Sequence, residues 1–295
     1  MIHVIDLHFQ KSNETIAAFL VETSEGPVLI ETGPYSTFDH LQQGVEKAGF
    51  KLEDIRHVLL SHIHFDHAGA AWALAEKGAK IYVHPFGAKH LAEPGKLTES
   101  ARKIYKEMMD VLWGDIRSID SALIHQTAHE EVITIGDKKF QAWHTPGHAV
   151  HHIAWQLDDI VFTGDVAGVR IGRGPVVPPC PPPDINIEHW VESINLLRKI
   201  NPTKIYLTHY GAYEQVTEHL DALEKQLHAY ADTIKQMMDE ELDMATMTRK
   251  FQDFAAQPLH ELGFSKEEIT QYHAANPAYM SVTGLIRYWK KKASV

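Results

Sequence analysis

A single cysteine, Cys180, stands among 295 residues. One thiol excludes an internal disulfide and a metal cage built from thiolates. No apolar run reaches the ~18 residues of a helical membrane span, so none is expected. Positive charge is also scarce: 28 Lys and Arg stand against 39 Asp and Glu, a formal charge of −11. Phosphate binding wants Lys and Arg, so a general nucleic-acid binder is disfavoured and a small-molecule substrate is the expected partner. Met1-Ile2-His3-Val4-Ile5-Asp6 enters a strand pattern at once, with no basic-then-apolar leader before it. A soluble cytoplasmic protein is the expectation.

Histidine is abundant, at 21 residues, and it clusters. Ser61-His62-Ile63-His64-Phe65-Asp66-His67 follows the apolar run Val58-Leu59-Leu60 and precedes the helical pattern Ala68–Glu76. Three imidazoles and a carboxylate thus sit where a strand hands over to a helix. On an extended backbone His62 and His64 point the same way, and Asp66 and His67 fall on the turn beside them. Left without a ligand, these polar groups beside a core strand would each cost roughly 1–3 kcal/mol. Two neighbouring metal ions suit this spacing better than one.

Before that centre, strands are expected at 2–8, 15–22 and 28–31. A helix from Ser36 or Thr37 to about Ala48 follows, stopped by Gly49. After it, Lys80–Val83 reads as a strand. Residues 86–130 break the alternation and form a lid candidate. Within them Lys96–Trp113 reads as an amphipathic helix, with Leu97, Ile104, Met108 and Leu112 on roughly one side. Strand signals return at Val132–Ile135, Phe140–His144, Ile153–Leu157 and Ile160–Phe162. The Pro-rich stretch 174–183, which holds Cys180, reads as an extended connection. A helix from about Ile187 to Lys199 and a strand Lys204–Leu207 complete a unit of residues 1–211.

From 212 to 295 the pattern is helical. Val216, Leu220, Leu223, Leu227, Tyr230, Ile234 and Met237 recur at alternating steps of 4 and 3, an a/d seam. It can pack on the chain's own later helices or on a second copy in a homodimer. Ser265-Lys266-Glu267-Glu268 is a capping box, and Asn276-Pro277 reads as a cap with Pro at the first helical position.

Five pieces share one feature: a ligand-type residue just past a strand. They are His62/His64, Asp66/His67, His148 in Thr145-Pro146-Gly147-His148, Asp165 in Thr163-Gly164-Asp165, and His209 in Thr208-His209. If the strands end along one edge, these residues converge. Imidazoles and carboxylates without thiolate suit Zn(II), Fe(II) or Mn(II).

This order of motifs resembles the metallo-β-lactamase-fold hydrolases over about residues 1–210, most of all their glyoxalase II-like branch. The resemblance implies an α/β (α+β) fold, an αββα sandwich, here with a C-terminal all-helical appendage. It implies two divalent ions per chain. His62, His64 and His148 would hold one, Asp66, His67 and His209 the other, and Asp165 would bridge. Departures narrow the choice. Asp165 stands where the dizinc β-lactamases typically carry a Cys ligand. His64 stands where flavodiiron oxidoreductases carry an acid. Gly168 stands where quorum-quenching lactonases typically carry Tyr. A glyoxalase II would need cationic glutathione contacts, for which Arg287 and Lys290–Lys292 are candidates, although a solvated basic helix end is the favoured reading of that cluster.

The expected reaction is hydrolysis of a small ester, thioester or lactone by a bridging hydroxide, with Asp66 and Asp165 as catalytic carboxylates. An iron-dependent persulfide dioxygenase and a phosphodiester hydrolase are the alternatives. Arg170, more than Arg173, is a candidate for holding a substrate carboxylate, and Tyr210 is a second candidate substrate contact. One of His151 and His152 is a candidate partner of a metal ligand. His84 and His144 are read as structural.

Overall fold

The computed structural model describes residues 1–294. Two six-stranded sheets form it. The first runs in chain order through β1 (Ile2–Asp6), β2 (Ala17–Thr23), β3 (Gly26–Ile30), β4 (His57–Leu59), β5 (Lys80–Val83) and β6 (Ile124–Gln126). Its first three strands are antiparallel, and β3 to β6 are parallel. The second sheet holds β7 (Val132–Ile135), β8 (Lys138–His144), β9 (Ile153–Leu157), β10 (Ile160–Gly164), β11 (Lys204–Leu207) and β12 (Gly211–Tyr213). Here only β10 and β11 pair in parallel.

Alternation along the strands builds three cores. Phe19, Val28 and Ile30 of the first sheet meet Phe140, Trp155 and Phe162 of the second. The opposite-facing Leu20, Leu29, Val58 and Ile81 pack under helices. Those helices are α1 (Phe38–Lys47), α2 (Phe65–Ala68), α3 (Ala71–Ala75) and α4 (Pro85–Ala92). Two more, α5 (Gly95–Tyr105) and α6 (Met109–Trp113), extend the same side. On the far side α7 (Ile187–Ile200) and α8 (Val216–Asp239) cover Val161, Ile205 and Leu207. The order is helices, sheet, sheet, helices: an αββα sandwich. Then come α9 (Met244–Glu261), α10 (Lys266–Ala275) and α11 (Ala278–Lys292).

Several local expectations need correction. The segment 86–130 is not wholly outside the sandwich, because β6 lies within it. With only Ile124 apolar in three residues, β6 offers no alternation to read. The short β12, directly after the Thr208-His209 loop, was equally illegible. The single helix expected over 96–113 is split at Lys106 (φ +47), which lets Met109 and Trp113 turn into the core against Phe9. Pro277 is the N-cap of α11 rather than its first residue. Asn276 serves differently: its amide donates to Pro178 O at 3.2 Å and its carbonyl accepts from Ser281 Oγ at 3.1 Å. The Ser265–Glu268 capping box forms as read.

All seven seam residues of α8 are buried. They pack within the chain, in one core with Trp190 and Leu197 of α7, Phe251 of α9 and Leu285 of α11. No part of the seam is left over for a second copy. Among the described residues no helix is long and apolar enough to cross a membrane.

α8 also buries His219, whose Nε2–H donates to Ala167 O at 2.7 Å. Burial pushes its pKa from 6.5 down to about 4. The unfolded chain therefore takes up this proton first as pH falls below 6.5, and the folded chain only near 4. The cost opens at pH 6.5 and is complete below about 4. Between pH 7.5 and 5.0 it should reach about 2 kcal/mol. Urea unfolding of the wild type and His219→Gln at the two pH values should show the variant losing less stability on acidification.

Candidate metal centre

The seven residues read from sequence as ligands all reach one edge of the sandwich. β4 ends at Leu59, and the chain continues through Ser61–Ile63 to His64, which is extended (φ −62, ψ +150) at the N-cap position of α2. That short helix presents Asp66 and His67. Two glycines allow the other loops to close in. Gly147 (φ +139) runs so near α7 that a Cβ would lie 2.3 Å from the Trp190 Cα, and this brings His148 inward. Gly164 (φ +49) presses on Ser61, where a Cβ would meet the Ser61 Cβ at 2.5 Å, and Asp165 follows it. β11 delivers His209.

Three imidazole nitrogens converge in one group. His62 Nε2 and His148 Nε2 lie 2.8 and 3.1 Å from His64 Nδ1. A second group joins Asp66, His67 and His209, with Asp66 Oδ2 at 3.8 Å from His67 Nε2 and 3.5 Å from His209 Nε2. Asp165 stands between them. Its Oδ2 is 3.3 Å from His148 Nε2, and its Oδ1 is 3.3 Å from His67 Nε2 and 3.6 Å from His209 Nε2. One carboxylate oxygen thus faces each group.

These donors fit divalent ions. The buried His67 Nε2 and Asp165 Oδ1 have no hydrogen-bond partner, although a buried polar atom ordinarily has one. Burial lowers His62, His64 (to about 3) and His148 from the ordinary histidine range, and neighbouring imidazoles add to the effect. They are therefore held neutral, the form that binds a cation. In the second group burial is outweighed. Asp165 and Asp66 raise His67 and His209, and these imidazoles in turn hold Asp66 at about 2 and Asp165 well below its usual range. The carboxylates stay ionised.

Outer hydrogen bonds fix the rings. His148 Nδ1–H donates to Pro179 O at 2.8 Å and His209 Nδ1–H to Thr15 O at 2.7 Å, which leaves both Nε2 atoms free to bind. The His62 Nδ1 bonds Ser61 Oγ at 2.9 Å. Of the two residues after Val150, His152 is the partner of a ligand. Its Nε2 accepts from the Asp165 backbone N–H at 3.1 Å, and its Nδ1–H donates to Thr145 Oγ1 at 2.8 Å. His84 and His144 are structural as read. His84 caps α4, and His144 Nε2 donates to Thr127 O at 3.0 Å.

Glu31 was missed in sequence. Its Oε1 accepts from Ser61 N at 3.0 Å, and its Oε2 lies 3.2 Å from His67 Nδ1. It is fully buried at the end of β3. A carboxylate closing the apolar run Val28-Leu29-Ile30 was the available signal. Glu31→Gln should weaken metal retention by about 10- to 100-fold, read as release to a chelator, with the fold unchanged by circular dichroism.

The expected substrate contacts are not where the sequence reading put them. Arg170 does not line the cavity above the centre. Its Nε donates to Gly174 O at 3.2 Å and its guanidinium lies 4.6 Å over the Tyr213 ring, because its backbone is tied to His209 and Tyr210 and turns the side chain away. Tyr210 also lies off that cavity, packed against the cores of the second sheet. Arg173 donates to Leu262 O at 2.7 Å. Cys180 is fully buried, and burial pushes its thiol far above its ordinary pKa, which excludes a thiolate nucleophile.

The cavity itself measures ≈ 720 Å³. The centre forms its floor through His64, Asp66, His148, Asp165 and His209. Both α5–α6 and α10–α11 contribute walls, so the insertion and the tail each cover the site.

Comparison with known proteins agrees with this architecture. A metallo-beta-lactamase fold-containing protein of Sulfurisphaera tokodaii is 31% identical over 175 residues, 57% of this chain and 66% of that protein. A hydroxyacylglutathione hydrolase of Buchnera aphidicola is 27% identical over 146 residues, 50% of this chain and 44% of its own. The structure of a metallo-beta-lactamase family protein from Thermus thermophilus superposes with a TM-score of 0.71, covering 100% of this chain and 94% of that one at 16% identity, a likeness of fold. The sequence pattern of the metallo-beta-lactamase superfamily matches residues 14–209, from just before β2 through the last candidate ligand, and the chain belongs to that superfamily.

Proposed function

We propose that the protein is a dinuclear metal-dependent hydrolase of a small carboxylic ester, thioester or lactone. The observation that carries this reading is Asp165, set between two ligand groups with one oxygen toward each. His62, His64 and His148 would hold one ion and Asp66, His67 and His209 the other. Ions held there supply an acidified water at neutral pH and Lewis acidity for the substrate carbonyl. Asp66, a quarter exposed on the cavity floor and ionised, accepts a hydrogen bond from the attacking water and orients it. The cavity walls hold the acyl part and keep bulk water away. No Ser or Cys nucleophile is needed.

The hydroxyacylglutathione hydrolase among the relatives supports hydrolysis as the reaction class. Turnover in heavy-oxygen water should place solvent oxygen in the product acid. The signal should vanish in His62→Ala and persist in Cys180→Ala. Oxygen drawn from O₂ instead would mean an oxygenase on the same scaffold, and the hydrolase reading would fall.

A further inference from the structure

We infer that the substrate is an uncharged ester or lactone with a medium-length hydrocarbon acyl chain, which lies between α5–α6 and α10–α11. This rests on the hydrolase reading and narrows it to a substrate class. A cavity of ≈ 720 Å³ is the size of a site for a whole small molecule rather than for an acetyl group alone. Above the metal centre its walls are mostly apolar, with Leu97, Ala101, Ile104 and Met108 on one side and Ala274 and Met280 on the other.

Charge on the walls argues the same way. Apart from the proposed metal ligands, the described residues that line the cavity include one Lys or Arg, Lys96, and one carboxylate, Asp184. None of the basic groups of α11 (Arg287, Lys290, Lys291 and Lys292) lines the cavity. Arg287 donates to Pro183 O at 3.1 Å, and Lys292 pairs with Glu188. Away from the metals, a multiply charged leaving group such as glutathione would find only Lys96 among the lining Lys and Arg to neutralise it. Ile104 and Met108 line the cavity yet are 40% and 49% exposed, so an apolar rim meets solvent where a chain would enter. Isolated large apolar residues on a surface need no explanation, but two on the wall of one cavity form a patch with a use.

Ala101 is a small side chain on the α5 wall. It is buried, and a larger side chain there would occupy cavity space. The test is a series of p-nitrophenyl esters from acetyl to decanoyl, run with metal-loaded protein. kcat/KM should rise about three- to fourfold per added methylene until the cavity fills, mostly through KM. In Ala101→Phe the decanoyl-to-acetyl ratio should drop at least ~10-fold, since several methylenes lose their place. Ile104→Asp, at the exposed rim, should lower the same ratio and guards against a folding defect at Ala101. N-Methyldecanamide, which is not hydrolysed, should bind by calorimetry and N-methylacetamide should not.

A flat chain-length profile, or a glutathione thioester preferred over the decanoyl ester, overturns the inference and leaves the hydrolase reading standing. Amide binding without turnover of any ester sinks the hydrolase reading and keeps the apolar ligand. Neither turnover nor amide binding overturns both.

Discussion

Replacing Asp165 with alanine should remove at least one metal ion from the chain and lower kcat/KM by more than ~100-fold, the upper end of what losing only an outer partner of a ligand costs. The side chain is buried, carries one oxygen toward each ligand group and has its Oδ1 unpartnered within the protein. Loss of a residue bound at one group alone should be milder in metal content. His64→Ala should leave the Asp66, His67 and His209 group intact and reduce the count by one. Elemental analysis of the three proteins, purified side by side, gives the comparison. Equal metal content in Asp165→Ala and wild type would show that this carboxylate bridges nothing.

Much of this centre was legible because its ligands are polar residues that end apolar strands. His62, His64, His148, Asp165 and His209 follow β4, β8, β10 and β11 closely enough that sheet geometry alone brings them together. What the sequence hid depends on contacts across the chain. The Thr15 and Pro179 carbonyls orient His209 and His148, yet a backbone oxygen carries no residue-type signal. Arg170 stood at the right distance from Asp165, but distance along the chain does not fix direction. Its side chain turns toward Tyr213 on β12, a strand too short to be read. The α8 seam was legible as a helix face and silent about its partner, since the same spacing serves packing within or between chains.

Leu223→Asp should abolish stable folding. Leu223 is fully buried on α8 among α7, α9 and α11, with its Cδ1 beside Gly168, three residues after Asp165. An unpaired carboxylate there has no partner, and burying such a charge costs several kcal/mol beyond the lost apolar contact. The sum is comparable with a whole domain's stability of ~5–15 kcal/mol. Leu223→Ala, a cavity without a charge, should cost about 2–5 kcal/mol. Thermal unfolding and light scattering read both. A well-folded Leu223→Asp monomer from a dimeric wild type would mean that the seam joins two chains.

The central claim is that two ions sit in this cavity floor with Asp165 between them. Anomalous diffraction from metal-loaded crystals, collected on both sides of the metal absorption edge, tests it most directly. Two anomalous peaks are expected, one among His62, His64 and His148 and one among Asp66, His67 and His209, each contacted by Asp165. One peak, with the other position empty despite excess metal, would contradict the dinuclear reading and leave a mononuclear site to account for the chemistry.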